Sequence, residues 1–365
     1  MSQTSIPYIF MRGGTSRGPY FNRADLPTDL NHLAKVLVSV LGSGHPLNID
    51  GIGGGNPVTT KVAILSKSKD SWADIDYFFA QVSVEDGLVD FKPTCGNILS
   101  GVASAAIEMG LHPADNGETS IAIKAVNTGA EILAKVQTPN RKISYTGDIA
   151  IDGVPGSSAP VELNFMKVSG SSTGKFLPTG NLTDIINDIP VTCMDVAMPM
   201  VIARAEDFGL TGYETREALD ANEGFLNRME QLRIKAGILM GMGDVSKSVT
   251  PKFGLLAPAR DGGTISTRYF MPWSTHPTMA VTGSQCLASC ALTPGTVADG
   301  IIDRPSESPT KVTLEHPMGK MDVIVDFKMN GTEFNHISAG LIRTCRKIAE
   351  GLVYVPNEIW KGEKK

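Results

Sequence analysis

The sequence predicts an α+β fold of two pseudo-equivalent halves, each a sheet wrapped around one central helix. Short runs of β-forming residues, bounded by turn residues, recur along the whole chain. Two segments of small apolar residues, at 96–110 and 283–292, interrupt these runs and begin alike. The regular alternation of strands and helices that is typical of a doubly wound sheet does not occur.

The predicted strands are short, as in sandwiches and barrels. They lie at 60–65, 77–84, 119–126, 131–137, 161–166, 196–203, 264–270, 311–316 and 320–327. A helix predicted at 219–240 is charged on one face, which indicates a surface helix.

The two segments of small residues predict buried central helices. The first is apolar nearly all round and ends at a glycine, and the second is stopped by proline and glycine. Their openings at 94–97 and 281–284 resemble each other, which indicates a weak internal repeat. We therefore expect one domain at 1–185, with its helix near 96–110, and a second at 186–344, with its helix near 283–292.

Composition restricts the class of partner. The 365 residues are 42% hydrophobic and carry a net charge of −5, without a basic stripe, which argues against nucleic acid. No apolar run is long enough for a membrane helix, and the start does not resemble a signal peptide. Five dispersed cysteines indicate a reduced, cytoplasmic protein. A small anionic substrate fits this composition, and a homo-oligomer is left open.

Cys95 is the first candidate catalytic residue because it precedes the first predicted central helix. Backbone N–H groups at a helix start are unpaired and partly positive, which favours a thiolate. The same groups, here those of Gly96 and Asn97, can bind a carboxylate. The alternative is a buried, inert cysteine. The adjoining glycine favours the catalytic interpretation, because it permits close approach to a ligand.

Lys61 is the second candidate, since it begins an apolar strand directly after the glycine-rich loop at 50–57. A lysine there is more often a solvated strand end. However, glycine loops shape ligand sites, and a desolvated lysine can act as a general base. The loop matches neither nucleotide-binding pattern, because it lacks Gly-Lys-Ser/Thr and a strand follows it.

The turn at 11–18 is the third candidate. Arg12, Gly14, Thr15 and Ser16 could present guanidinium, hydroxyl and backbone N–H groups to an anion. The alternative is a hairpin turn with solvated arginines.

In the second half, Arg268 and His276 precede the helix that begins with Thr282, Gly283 and Ser284. A strand arginine or loop histidine is more often structural, but the place before a helix start favours anion binding. Thr282 occupies the place that corresponds to Cys95, so only one half would supply a thiol.

No metal centre is predicted, because the six histidines are isolated and form no HxH or HExxH pattern. A Gly-x-Ser-x-Gly match at 170–174 lies in a Ser/Gly-rich stretch without a following helix, which is typical of a flexible loop.

Several motifs together resemble those of the PrpF-like isomerases, and they extend almost from end to end of the chain. They are MRGGTS at 11–16, DGIGG at 50–54, TKVA at 60–63, CGN at 95–97, DGVPG at 152–156, GMGDV at 241–245, and EHP with a following glycine at 315–319. The resemblance implies a diaminopimelate epimerase-like fold, in which each domain is a β-barrel around a central helix and the active site lies between the domains. It also implies that 345–365 returns to the first domain and that no metal or organic cofactor is needed.

The resemblance assigns catalysis to Lys61 and Cys95. Epimerase relatives carry a second catalytic cysteine where this chain has Thr282, which favours a proton shift by one amine and one thiol. We expect this shift on an unsaturated tricarboxylate, first 4-oxalomesaconate, as a keto–enol or 1,3-allylic exchange. The stretch at 271–276 departs from the more basic family pattern, so aconitate and methylaconitate remain alternatives. A non-catalytic carboxylate-binding protein and a racemase or epimerase are the alternatives from other classes.

Overall fold

Strands and helices follow one another in the same order twice along the chain. The computed structural model describes residues 2–271, 273–331 and 333–362. These residues divide into two compact units: unit 1 contains those up to Leu163 and those from Ile342 onward, and unit 2 contains Asn164–Leu341.

The sequence-based division at 185/186 differs from these units at 164–185. Phe165, Phe176 and Leu177 from that stretch pack against the core around the central helix of unit 2. Buried Asp195 of the same unit accepts hydrogen bonds from Ser171, Ser172 and Thr173. These contacts group the stretch with the second unit.

The elements of the described residues are as follows. The strands are β1 Gln3–Gly13, β2 Ser16–Asn22, β3 Lys61–Lys67, β4 Ile75–Val82, β5 Val89–Asp90, β6 Gly117–Ala125, β7 Ala130–Thr138, β8 Pro160–Met166, β9 Asp184–Ile186, β10 Ile189–Asp195, β11 Pro199–Arg204, β12 Lys252–Ala257, β13 Ile265–Phe270, β14 Thr310–His316, β15 Gly319–Asn330 and β16 Glu333–Pro356. The helices are α1 Leu30–Leu41, α2 Gly96–Leu99, α3 Val102–Glu108, α4 Arg216–Asp220, α5 Glu223–Leu239 and α6 Val281–Leu292, with short 3-10 turns at Arg23–Asp25, Pro139–Arg141 and Glu206–Phe208.

In unit 1 the strands follow the order β1-β2-β3-β4-β6-β7-β8-β16, and β16 also pairs with β1, so the ladder returns to its first strand. The pairs β2–β3 and β4–β6 are parallel. Each parallel pair needs a crossover, which α1 supplies in the first case and α2–α3 in the second.

Unit 2 repeats this pattern with the order β16-β15-β14-β13-β12-β11-β10-β9. Its parallel pairs are β11–β12 and β13–β14. The crossovers contain α4–α5 in the first pair and α6 in the second. The predicted α+β class with two pseudo-equivalent halves is therefore confirmed, and β3 of unit 1 corresponds to β12 of unit 2.

The first predicted central helix is interrupted in the structure. The Tyr20 hydroxyl donates to the Ile98 carbonyl at 2.5 Å. The same hydroxyl would lie only 2.4 Å from a Cβ at Gly101. The Gly101 amide bonds to the same carbonyl three residues back, which tightens the turn between α2 and α3. A side chain inserted into the helical ladder is a recognised cause of such a break. The second central helix is continuous and begins at Val281, two residues earlier than predicted.

Each sheet has one face toward a surface helix and one toward the central helix. In unit 1, Val62, Ile64, Ala80 and Val82 pack with α1. Because side chains alternate along a strand, Lys61, Ala63, Tyr77, Phe79 and Gln81 point to the opposite face. We call this face, which carries α2 and α3, the inner face of unit 1.

In unit 2, Phe253, Leu255 and Phe270 pack with α4 and α5. Leu256 and Tyr269 instead pack with residues of α6. We call the α6 side the inner face of unit 2.

Candidate active site

Lys61 begins β3 on the inner face of unit 1, partly buried. Its Nζ donates to Gln81 Oε1 at 2.5 Å, directly across the β3–β4 ladder. The same Nζ lies 5.4 Å from the centre of the Phe79 ring. The amine is therefore held by one amide oxygen and one aromatic face, and it has no carboxylate partner within the described residues.

The Gln81 amide group is itself fixed in place. Its Nε2 donates to the carbonyls of Pro57, Thr60 and Val82 at 3.1–3.3 Å. These bonds determine which amide atom faces Lys61, so that the oxygen accepts from the amine. Gln81 was not among the residues predicted from the sequence, because only the pairing of β3 with β4 reveals it.

Cys95 is the N-cap of α2 and is partly exposed. Its carbonyl accepts from Leu99 N–H at 2.9 Å and from the Tyr77 hydroxyl at 3.2 Å. Among the residues that the structure describes, no side chain caps α2. The N–H groups of Gly96 and Asn97 thus point out of the first turn without intrahelical partners, as anion binding requires.

A continuous series of contacts joins Lys61 to Cys95 along β4. The Lys61 amine faces the Phe79 ring, the Phe79 and Tyr77 ring centres are 6.4 Å apart, and the Tyr77 hydroxyl reaches the Cys95 carbonyl. The structure thus brings the two predicted catalytic residues to the same inner face. Burial, with the nearby Cys95 contributing, raises the pKa of Tyr77, so its hydroxyl stays protonated as a donor.

The turn between β1 and β2 packs directly on the start of α2. Asn97 Oδ1 accepts from the backbone N–H of Thr15 at 3.4 Å. A Cβ at Gly14, whose φ is +53°, would lie 2.2 Å from the same Oδ1, and a Cβ at Gly13 would lie 2.5 Å from the Asn97 carbonyl oxygen. The glycines are needed here because the turn and the helix approach so closely.

Arg12 and Ser16 occupy different surroundings in this turn. Arg12 donates to the carbonyls of Gly14 and Thr344, to the Thr344 hydroxyl and to the Ser158 hydroxyl. Its guanidinium therefore braces the turn, and burial lowers its pKa. The Ser16 hydroxyl is buried on the inner face that carries Tyr20 and finds no hydrogen-bond partner among the described residues, whereas Thr15 is exposed.

The start of α6 in unit 2 also has no side-chain cap from the described residues. Its N-cap is Ala280, so Thr282 is the second residue of the helix and does not stand at the cap as Cys95 does. The Ser284 N–H bonds to the Ala280 carbonyl, and the Ser284 hydroxyl donates to the Val281 carbonyl. The unpaired amides of the first turn are thus those of Val281, Thr282 and Gly283.

His276 lies beside this helix start. Its ring stacks edge-on to Tyr269, with centres 5.8 Å apart, and the Tyr269 ring in turn fills the space above Gly283. Burial lowers the pKa of His276, and the positive charges of Arg216 and Lys252 lower it further. His276 Nδ1 accepts from Thr278 N–H at 3.0 Å, so the neutral ring carries its proton on Nε2.

Arg268 is not brought to the helix start. It lies on β13 between Thr267 and Tyr269 and points to the face that packs with α4 and α5. Its Nε donates to the Glu214 carbonyl and its Nη1 to the Thr267 carbonyl, both at 2.8 Å. Its guanidinium therefore serves the loop before α4, and substrate binding by Arg268 rests only on the sequence pattern.

The family model described as "PrpF protein" matches residues 3–356. The chain belongs to the PrpF family.

Two relatives and one solved structure match this chain over nearly its whole length. The chain is 44% identical to the (4E)-oxalomesaconate Delta-isomerase of Novosphingobium sp. (strain KA1), covering 96% of this chain and 98% of that protein. It is 41% identical to the 4-oxalomesaconate tautomerase of Pseudomonas putida (strain KT2440), with both chains fully covered. The crystal structure of a methylitaconate-delta-isomerase superposes with a TM-score of 0.91 at 33% identity, covering 100% of this chain and 98% of that one.

This PrpF-family chain is accordingly an isomerase, and its α+β fold is that of the methylitaconate-delta-isomerase structure. Within the described residues, no three histidine, cysteine or acidic side chains converge to hold a metal ion. Every described helix is also too short or too polar to cross a bilayer.

The other four cysteines of this PrpF-family isomerase are buried. Burial raises the pKa of Cys193 and Cys290 to about 12 and that of Cys345 to about 11. Burial also raises the pKa of Cys286 far above its ordinary value. Cys95 is thus the one partly exposed thiol of the described residues.

Proposed function

We propose that this PrpF-family isomerase moves a proton within an unsaturated tricarboxylate, with 4-oxalomesaconate as the first candidate. The observation that carries the proposal is the presence of a clamped amine, Lys61, and a helix-capping thiol, Cys95, on one inner face of unit 1. The two relatives named for oxalomesaconate, at 44% and 41% identity, support this choice of substrate.

In the proposed reaction the neutral Lys61 amine removes a proton from a carbon next to a carbonyl group or a conjugated carboxylate. The electron pair of the broken C–H bond spreads into a dienolate. The Cys95 thiol then gives its proton to the far carbon of the allylic system, or to the oxygen in a keto–enol exchange. The ammonium and thiolate that remain return to their starting forms by exchanging one proton through solvent.

Negative charge develops on the dienolate oxygens, and the free N–H groups of Gly96 and Asn97 are suited to stabilise it. Removal of one such donor typically costs about 3 kcal/mol of transition-state stabilisation. The buried Ser16 hydroxyl, which has no partner in the part of the chain that the structure describes, is a further donor on the same face.

The relatives support both forms of the reaction. A Delta-isomerase moves a carbon–carbon double bond, as in the 1,3-allylic form, whereas a tautomerase exchanges a keto and an enol form. The superposed methylitaconate-delta-isomerase supports the allylic form. A relative named 2-methyl-aconitate isomerase, 30% identical over 97% of this chain, supports methylaconitate as a second candidate, with aconitate beside it.

Two other functions have less support. A two-thiol racemisation needs a second thiol at the start of α6, where this chain has Thr282, and the nearest cysteine, Cys286, is fully buried. A non-catalytic carboxylate-binding protein would have no need for the clamp that Gln81 applies to Lys61.

The test is an ultraviolet absorbance screen of the purified protein against 4-oxalomesaconate, cis- and trans-aconitate and 2-methylaconitate, because moving a conjugated double bond changes absorption. The reaction is repeated in D₂O. We expect turnover of 4-oxalomesaconate, with deuterium incorporated at one carbon in the allylic form. Failure to turn over any of the four acids would overturn the proposal, and turnover of an aconitate alone would move the assignment to that substrate.

A further inference from the structure

One edge of β4 is covered by two different strands that leave a gap between them. Along this edge β6 pairs with Ile75–Tyr77, and β5 pairs with Gln81 and Val82. Phe79 lies in the gap, after the last partner of β6 and before the first partner of β5. Its backbone N–H and carbonyl groups on this edge therefore need hydrogen-bond partners from outside the ladder.

The side chain of Asn127 fills this gap. Asn127 stands in the turn that follows β6, and its Oδ1 accepts from the Phe79 N–H at 2.9 Å. Its Nδ2 donates to the Phe79 carbonyl, also at 2.9 Å, so the amide makes the two bonds that a residue of a neighbouring strand would make. Nδ2 donates in addition to the Phe91 carbonyl at 2.7 Å. Both amide donors are thus used, and the orientation of the amide is fixed.

The bond to Phe91 attaches the segment that leads to Cys95. Phe91 directly follows β5, and residues 91–95 connect β5 to α2, whose N-cap is Cys95. At the far end of this segment the Tyr77 hydroxyl donates to the Cys95 carbonyl. The segment is therefore attached to β4 at both ends, through Asn127 at Phe91 and through Tyr77 at Cys95.

The same amide supports the other reacting residue. Phe79, whose backbone Asn127 holds, carries the ring that lies 5.4 Å from Lys61 Nζ. Asn127 thus contacts both the residue that faces the Lys61 amine and the start of the segment that ends at Cys95. Displacement of a catalytic group by about 1 Å can cost about 100-fold in rate, so the placement of these two groups matters to the reaction.

A purely local role does not account for these bonds. An asparagine that serves only its own turn bonds backbone groups about two residues away. Asn127 instead bonds Phe79 and Phe91, which are 48 and 36 residues away in sequence. The turn itself is closed by backbone groups, because the Gly129 N–H donates to the Ala125 carbonyl. The Asn127 side chain therefore joins distant segments rather than the two arms of its turn.

We propose that Asn127 is a positioning residue that places the Cys95 thiol relative to the Lys61 amine. The inference rests on the proposed function, in which Lys61 first removes a proton and forms a dienolate. That dienolate either receives a proton from Cys95, which gives product, or takes one back from Lys61, which regenerates substrate. Asn127 acts through Phe79 and Phe91 and not on the substrate. It sets how often the first outcome occurs, because it fixes where the thiol lies.

The first test measures this partition in D₂O with 4-oxalomesaconate, or with the acid of the screen that wild type turns over fastest. The Lys61 amine exchanges with solvent, so deuterium in recovered substrate per product formed reports the return to substrate. N127D keeps the acceptor for the Phe79 N–H but loses both donors, and N127L loses all three bonds without adding a charge. In both variants we expect kcat to fall about 10- to 100-fold at a nearly unchanged KM, and this deuterium ratio to rise about as much.

Two controls separate placement from stability. N116D makes the same chemical change in an exposed residue just before β6, where Asn116 Oδ1 accepts from the Asn140 N–H and a carboxylate can still do so. V36A truncates a residue that is buried in α1 and lowers stability elsewhere in unit 1. Neither control should change the deuterium ratio, because an unfolded molecule neither exchanges nor isomerises the substrate.

The second test is hydrogen–deuterium exchange of the protein without substrate, followed by peptide mass spectrometry. We expect the backbone amides at 91–99 to exchange about 10-fold faster in N127D and N127L than in wild type, because the lost bonds anchor this segment. The amides of β1, β2 and β7 should exchange as in wild type. This readout does not require activity.

A raised deuterium ratio with faster exchange at 91–99 supports the inference. In an active wild type, an unchanged ratio in N127D and N127L overturns the positioning role and leaves the proposed function intact. Faster exchange in β1, β2 and β7 as well, with a ratio like that of V36A, identifies a general structural role and also overturns it. A wild type that isomerises none of the four acids overturns the proposed function. Faster exchange confined to 91–99 then still supports the attachment of Cys95 by Asn127, and unchanged exchange overturns that attachment.

Discussion

Lys61 Nζ and Gln81 Oε1 are 2.5 Å apart across the β3–β4 ladder, and three backbone carbonyls fix the orientation of the Gln81 amide. The bond aims the amine without supplying a counter-charge, which a carboxylate in the same place would do. A neutral clamp of this kind suits a lysine that must lose its proton before it can act as a base.

Replacing the clamp should impair the chemical step more than binding. We expect Q81L to lower kcat about 100-fold while KM changes little, because a misplaced base is costly. In Q81E the added carboxylate forms an ion pair with the Lys61 amine, so we expect kcat to fall in this variant as well. Steady-state kinetics test both variants, with Q137L on β7 as the control, since the Gln137 side chain bonds, among the described residues, to exposed Glu118 alone. Equal kcat in wild type and Q81L would contradict this role.

Removal of either reacting group should nearly abolish turnover. We expect K61M and C95S each to lower kcat by about 10²- to 10⁴-fold, the usual contribution of a positioned acid or base. K67M is the matched control, because Lys67 ends the same strand and is exposed. Circular dichroism should show folded protein in every case. Full activity in both K61M and C95S would rule out the proposed mechanism.

Thiol chemistry should distinguish Cys95 from the other cysteines. Cys95 is partly exposed, whereas Cys193, Cys286, Cys290 and Cys345 are buried and their pKa values are raised. At neutral pH we expect iodoacetamide to label Cys95 first. Tricarballylate, a saturated tricarboxylate that has no double bond to move, should occupy the site and slow that labelling. Peptide mass spectrometry over a time course measures this. Uniform slow labelling of all five cysteines would favour a structural role for Cys95.

The turn on α2 should not tolerate a Cβ. G14A adds an atom 2.2 Å from Asn97 Oδ1 in a left-handed backbone conformation, whereas G87A meets a similar positive φ in open space. We expect G87A to lower the free energy of unfolding by about 1 kcal/mol and G14A by about 1–3 kcal/mol more. Urea unfolding measures both changes. G14A should also lower kcat, because the turn supports Asn97. An unchanged kcat would show that the turn does not contribute to catalysis.

Because of His336, the stability of unit 2 should fall in acid. Burial lowers the pKa of His336 to about 4, and neither ring nitrogen has a hydrogen-bond partner within 2–271, 273–331 or 333–362. In the unfolded chain the pKa of this histidine is near its ordinary value of 6.5, so as pH falls the unfolded chain takes up the proton before the folded one. The contribution of His336 to the free energy of unfolding is therefore complete above pH 6.5 and is lost as pH falls toward 4. The full loss is about 3 kcal/mol.

H336F should remove part of this pH dependence, because phenylalanine can keep the ring contact with Phe176 but cannot take up a proton. Urea midpoints at pH 7 and pH 4.5 compare wild type, H336F and the exposed-site control H32Q. We expect the difference between the two pH values to shrink in H336F alone, with His276 contributing to what remains. An equal difference in wild type and H336F would exclude His336 as the source.

Local patterns in the sequence were sufficient for much of the fold and for part of the site. Alternating strands and all-apolar helices leave a local signature, and Cys95 was identified from its place before a helix. The strand β16 and the break after α2 depend on distant partners, β1 and Tyr20, which no local pattern contains. Helix α1 had a usable signal that was missed, since Asp29 caps it and Leu33, Val36, Leu37 and Val40 follow the helical period.

The sequence alone could not identify site residues whose position depends on strand pairing. Gln81 becomes visible only when β4 is aligned with β3. Arg268 shows the converse, because its place before α6 suggested an anion ligand, but the alternation of β13 directs it to the other face.

The pairing of β1 with the end of β16 has a consequence for biosynthesis. Gln3 pairs with Pro356, so the first strand of unit 1 remains an open edge until the ribosome has made the residues that follow Leu341. Unit 2 is continuous in sequence and can fold while that edge of β1 is still unpaired. The half that carries Lys61 and Cys95 is therefore begun first and completed last, and the exposed edge of β1 is the place where a nascent chain would need protection from aggregation.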